Sequence, residues 1–145
     1  MKSSALAVMT ICALACGSVV AKDKPKQDVI WPAEAIKWEA GPIAGTKLAT
    51  LWGDSKKSGN FGMLVKFDAG VMHPLHHHTH ALKLVIVTGT LIHKTESGTE
   101  SKLGPGSYLL QAGGAKHISG CAAGAECQFI MTSDGKFDFI NDERK

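Results

Sequence analysis

Five of the seven histidines of this chain fall within eight positions, at His73, His76, His77, His78 and His80. Imidazole is the commonest protein ligand for metals, and so dense a cluster, internal and running into the apolar stretch Leu82 to Val87, points to a bound ion. On a β-strand, side chains two apart leave the same face, about 6.6 Å apart along the strand. His76 and His78 so placed can swing onto one ion at metal–nitrogen distances of about 2.0–2.1 Å, the range for zinc, while His77 points away. His80 shares that face but lies roughly 13 Å from His76 at extended rise. A single ion on this strand therefore takes either His76 with His78 or His78 with His80.

The cluster belongs to a longer pattern. From Gly70 the chain reads Gly70-x5-His76-x-His78-x3-Leu82-x6-Gly89 and then, after sixteen intervening residues, Gly106-x5-Ala112-x-Gly114-x2-His117-x3-Cys121. Over these 52 residues it resembles the two motifs of the cupin superfamily, G-x5-H-x-H-x3or4-E-x6-G and G-x5-P-x-G-x2-H-x3-N. Three positions depart from the motifs: the glutamate ligand is Leu82, or Lys83 at the longer spacing; the proline is Ala112; the asparagine is Cys121. Leu103 to Tyr108, the pair Cys121 and Cys127, and Gly135-Lys136-Phe137-Asp138-Phe139 also resemble one subgroup of small secreted bacterial cupins. The resemblance implies an all-β fold, a single cupin-type jelly-roll β-barrel (double-stranded β-helix). It also implies that His76, His78 and His117 hold a divalent metal ion, iron or zinc before manganese or nickel.

Without the glutamate, three neutral histidines leave such an ion its full charge and open positions. The set is similar to the three-histidine iron sites of thiol dioxygenases and of the acetylacetone-cleaving dioxygenase, both cupins. That resemblance implies an iron-dependent dioxygenase acting on a small carbonyl or phenolic compound, whereas zinc on the same residues would be the hydrolytic counterpart. His73 and His80, flanking the ligands, are the acid–base candidates. Lys83 is a third candidate for catalysis: rotated inward by a bulge, its ammonium would meet the ion or hold an anionic substrate group. In an unbroken strand it points opposite to Leu82, into solvent, and that reading is preferred. The alternative function is a cupin without turnover, binding a metal or small ligand as a sensor or scavenger, because fold does not fix function.

Short apolar segments separated by turn residues must position these groups. Strands are expected at 36–38, 47–52, 61–67, 76–88, 91–94, 108–111, 127–132 and 137–140. Their separators include Gly41-Pro42, Ser58-Gly59-Asn60, Gly104-Pro105-Gly106 and Asp134-Gly135. A helical turn near Ala33 to Ile36 is the only helix in view. With 145 residues and 44% apolar content, the chain is one domain with material for a core. Gly113 and Gly114 let the backbone near His117 approach its neighbours closely.

Residues 1–21 read as a signal peptide: Lys2, the apolar run Ala5 to Ala15, and small residues ending at Ala21. That run is too short to span a bilayer, which takes about 20 residues. Residues 22–28 read as a flexible segment and 29–145 as the cupin domain. The destination is periplasmic or secreted, with lipid anchoring at Cys16 the less favoured route. Once the signal is removed, Cys121 and Cys127 are the remaining cysteines, in a compartment where disulfides persist. Cys121 could instead serve the metal with His117, but four residues along a strand separate them by about 13 Å, which favours a disulfide closing a hairpin loop over Ala122 to Glu126. The mature net charge is +2, with no basic stripe suited to nucleic acid. The expected partners are a small-molecule ligand or substrate and, from the cupin resemblance, a second copy in a homodimer.

Overall fold

Apolar side chains alternate through Phe61, Met63, Val65 and Phe67 as a strand with one face in a core requires. In the computed structural model, which describes residues 27–143, this segment is β3 (Phe61–Phe67). It lies in a six-stranded antiparallel sheet with β1 (Glu39–Ala40), β2 (Thr46–Trp52), β5 (Leu82–Thr88), β8 (Tyr108–Gln111) and β10 (Cys127–Ser133). The strand order is β1-β2-β3-β10-β5-β8. A five-stranded sheet is built from β4 (His76–His77), β6 (Leu91–Thr95), β7 (Glu100–Leu103), β9 (His117–Cys121) and β11 (Ile140–Asn141), in the order β11-β4-β9-β6-β7. This is the jelly-roll architecture expected. A 3-10 turn at Ala33–Ala35 matches the expected helical turn. Among the described residues, no helix is long and apolar enough to cross a membrane. The compact unit begins at Trp31. The expected signal peptide, with Cys16, lies outside the described residues, as does most of the expected flexible segment.

The core sits on the inner face of the six-stranded sheet. Register pairs Val65 with Phe129 and Met63 with Met131, and β5 adds Leu82, Leu84 and Ile86 from the other side of β10. Each such side chain, removed from water, contributes about 1.5–3 kcal/mol. The five-stranded sheet gives this cluster only Leu91 and Cys121 as fully buried apolar groups.

Cys121 and Cys127 form the expected disulfide. They do not close a hairpin, however. β9 and β10 belong to different sheets, so the bridge fastens one sheet to the other. The turn from β5 to β6 also passes from one sheet to the other, at Gly89, whose positive φ of 72° favours glycine and where a Cβ would strike the backbone of Glu126 and Cys127.

One expected strand is corrected. The stretch 76–88 is not continuous: β4 ends at His77 in one sheet, β5 starts at Leu82 in the other, and residues 78–81 cross between them. The polar groups there are satisfied outside any ladder. Gly114 N donates to His78 O at 2.8 Å, and the Asp138 carboxylate accepts from Thr79 N at 2.8 Å and Thr79 Oγ1 at 2.6 Å. The same demand shortens the last expected strand, which begins at Ile140 rather than Phe137, since Asp138 is engaged with His78 and Thr79. The expected strand at 36–38 is replaced by β1 at Glu39–Ala40, and β7 and β9 were not among the expected strands.

Candidate metal centre

β4 and β9 are neighbours, and their register places His76 directly opposite His117. His78 follows one residue past the end of β4. All three rings are buried, and one nitrogen from each lies within 4.8 Å of the others. Two nitrogens bound to one zinc ion stand at most about 4.2 Å apart, so the cluster is close to a coordination geometry without rebuilding the backbone.

The other nitrogen of each ring explains the orientation. His76 Nδ1 donates to Pro74 O at 2.7 Å, His117 Nδ1 donates to Ala115 O at 3.0 Å, and His78 Nδ1 donates to Asp138 O. A carbonyl can only accept, so each Nδ1 carries the hydrogen and each Nε2 presents a lone pair. Ligand histidines are oriented in the same way by partners on the far side of the ring. His117 Nε2 is fully buried and has no partner in the protein, a state that costs about 1–3 kcal/mol unless something binds there. Burial pushes the His76 imidazole down to about 3 and that of His117 down to about 4, and lowers His78 as well. At neutral pH all three are uncharged, the form in which imidazole binds a cation. The residues thus fit a divalent ion.

Aromatic rings wedge the cluster. Phe139 stacks on His76 at 4.2 Å and Phe137 lies 5.3 Å from His78. Both come from the segment Gly135 to Phe139, which also supplies the Asp138 carbonyl to His78. Gly113, in the turn before His117, packs against the backbone of 79–81 so closely that a Cβ would collide.

The remaining candidates separate clearly. His73 is buried, 5.4 Å from His76 between ring centroids, and lines the same cavity. His80 is exposed and packs over Gly135, because the chain turns after His78 instead of carrying it along the ligand face. His77 points away and pairs with Asp142 at 2.6 Å. Leu82 is 2% exposed and lines the cavity, whereas Lys83 lies on the outer face with its Nζ 3.2 Å from Asp134. Sequence reading missed His93, on β6, whose ring stacks 5.2 Å from His117 and whose Nδ1 is buried without a partner. The available signal was its position two residues after Leu91, on the same face of a strand. The cavity is about 40 Å³, walled by Val65, Phe67, Leu84, Phe129 and Met131.

Two antiparallel sheets with a histidine cluster on the inner face of one form a cupin-type jelly roll, and solved structures share that fold. The polyketide cyclase RemF from Streptomyces resistomycificus superposes with a TM-score of 0.71 at 15% identity, over 82% of this chain and 88% of that one. The DMSP lyase DddQ from Ruegeria pomeroyi DSS-3 gives 0.64 at 16% identity, over 77% and 64%. An RmlC-like cupin protein from Ralstonia eutropha JMP134 gives 0.64 at 18% identity, over 82% and 76%. At these identities the likeness is one of fold. The chain belongs to the family described as a domain of unknown function, DUF4437, whose model matches residues 20–144. No curated protein matches the sequence.

Proposed function

We propose that this protein is an exported cupin that binds one divalent ion through Nε2 of His76, His78 and His117 and acts as an iron-dependent dioxygenase on a small organic substrate. The observation that carries the metal reading is the common arrangement of the three rings, each with Nδ1 spent on a backbone carbonyl and each with the opposite nitrogen turned into the cluster. A divalent ion there supplies a Lewis acid and, as iron, redox chemistry. The protein's part is to hold three neutral donors, to keep water out with Phe67, Phe129 and Phe139, and to admit only a small substrate. No carboxylate lines the cavity, so His73 and His93 are the acid–base groups at hand. The absence of a carboxylate base there, together with the small cavity, also suits the alternative, a metal-binding cupin without turnover. Similar folds bear the names of a cyclase and a lyase, so oxygen chemistry is not the fold's only use.

Export accords with the buried disulfide, which persists in oxidising compartments. A homodimer accords with the outer surface of β5 and β8, where Val85, Val87, Tyr108 and Leu110 are exposed beside Lys83, since a largely apolar surface complements itself across a twofold axis. Elemental analysis of untagged protein from its own compartment tests the function. One equivalent of iron, with oxygen uptake on adding small carbonyl or phenolic compounds, supports the dioxygenase. Zinc, or iron without oxygen uptake, counts against the dioxygenase.

A further inference from the structure

The polar lining of the cavity consists of His73, His76, His78, His93, Gln111 and Ser119, with no acid, lysine or arginine. An ion on three neutral imidazoles therefore keeps two uncompensated positive charges in apolar surroundings, where screening is weak. An anion entering the cavity relieves that imbalance, and a neutral molecule of the same shape does not.

His73 is the second half of the argument. It is 6% exposed. Its backbone N–H is fixed to Ser119 O at 2.7 Å, and its ring is held between Phe67 at 4.5 Å and Phe139 at 5.3 Å. Its Nε2 is fully buried with no partner. Among the described residues no carbonyl engages its Nδ1, in contrast to the three clustered rings, so Nε2 is free to carry the hydrogen and donate it. A side chain held this firmly, with an unpaired donor in an otherwise apolar enclosure, has the form of a binding group awaiting its acceptor. The volume sets the size: about 40 Å³, at about 10–15 Å³ for each water-sized group, admits about three or four such groups.

Resting on the three-histidine reading above, we propose that the cavity is a receptor for a small organic monoanion of the carboxylate or enolate class, its charge balanced by the ion and its oxygen hydrogen-bonded by His73. His73 thus selects the ligand and does not hold the metal. The dioxygenase's substrate, on this view, enters as an anion.

Cobalt(II)-loaded full-length protein, titrated with acetate and with its neutral counterpart acetamide, gives the test. Cobalt content is measured first. Acetate should perturb the visible cobalt spectrum saturably and bind at least about tenfold tighter than acetamide. His73→Phe should lose about tenfold in acetate affinity at unchanged cobalt content, and His73→Gln, which keeps an N–H donor, should recover part of it. Leu82→Glu, which places a carboxylate in the cavity, should retain cobalt and abolish the preference for acetate. Equal affinity for acetate and acetamide, or undiminished acetate binding by cobalt-loaded His73→Phe, overturns the proposal. Protein that takes up no cobalt refutes the three-histidine reading itself, and the anion proposal with it.

Discussion

The two sheets face each other across one cavity and contribute opposite things to it. The inner face of the five-stranded sheet presents His76 on β4 and His93 on β6 to it, with His78 just beyond β4, and holds the buried ring of His117 on β9 behind them. The inner face of the six-stranded sheet presents Val65 and Phe67 on β3, Leu82 and Leu84 on β5, and Phe129 and Met131 on β10. The donors thus come from one sheet and most of the apolar burial from the other. The division teaches that where the cupin motif carries an acid on the six-stranded sheet this chain offers Leu82, and that this sheet meets the ligands instead through the neutral amide of Gln111 on β8, whose Nε2 lies 3.3 Å from His117 Nδ1. A donor set that lies on one sheet can be altered with little loss of core, and a core that lies on the other can be weakened with little loss of donors.

Core substitution should break the apolar side alone and do so most severely. Phe129→Ala removes a 3% exposed ring from the centre of the six-stranded sheet and should cost about 3–5 kcal/mol of stability. Urea unfolding would measure that loss, and the folded variant should still take up metal. Reducing the bridge between Cys121 and Cys127 should loosen the two sheets from each other at a cost of about 2 kcal/mol, seen as a lower unfolding midpoint with reductant than without.

Acid should act on the histidine side. Because burial holds His76 at about 3 and His73 and His117 at about 4, the unfolded chain, with imidazoles near 6.5, binds more protons than the folded one below that pH. The histidine contribution to the stability of metal-free protein is therefore complete above about pH 6.5. It declines as the pH falls and is exhausted near pH 3 to 4. A series of unfolding curves between pH 7 and 4 checks the direction, and a flat profile would mean that the rings are not buried as neutral groups. The smallest effect belongs to Lys83, on the solvent side of β5. Lys83→Glu should leave metal affinity unchanged, as measured by competition with a chromophoric chelator, whereas tighter binding would place position 83 inside the barrel.

What the sequence could reveal followed the same division. Alternation made β3 and β10 readable because their inward residues are apolar but for Ser133, and the resemblance to the cupin motifs brought His117 to His76 and His78. The break after His78 was hidden, since nothing local in Thr79-His80-Ala81 ends a strand. What ends it is Asp138, 59 residues away, bonding Thr79. That hidden contact also removes His80 from the ligand face. His93 stayed hidden because it belongs to no motif, and β7 and β9 because they lack the apolar alternation by which strands were sought. The glutamate's absence could be read from the sequence, as could the preference for Lys83 in solvent, and on β5 Leu82 is buried while Lys83 is exposed.

The central claim is that a metal is held by three residues of one sheet. Isothermal titration of metal-free protein with zinc or cobalt, repeated for His76→Ala, His78→Ala, His117→Ala and His80→Ala, addresses it directly. One equivalent should bind to the native chain and to His80→Ala, and stoichiometric binding should be lost in each of the other three. Loss of the metal in His80→Ala with retention in His76→Ala would contradict the account, shifting the chelate to His78 and His80 and detaching it from the sheet on which the site is built.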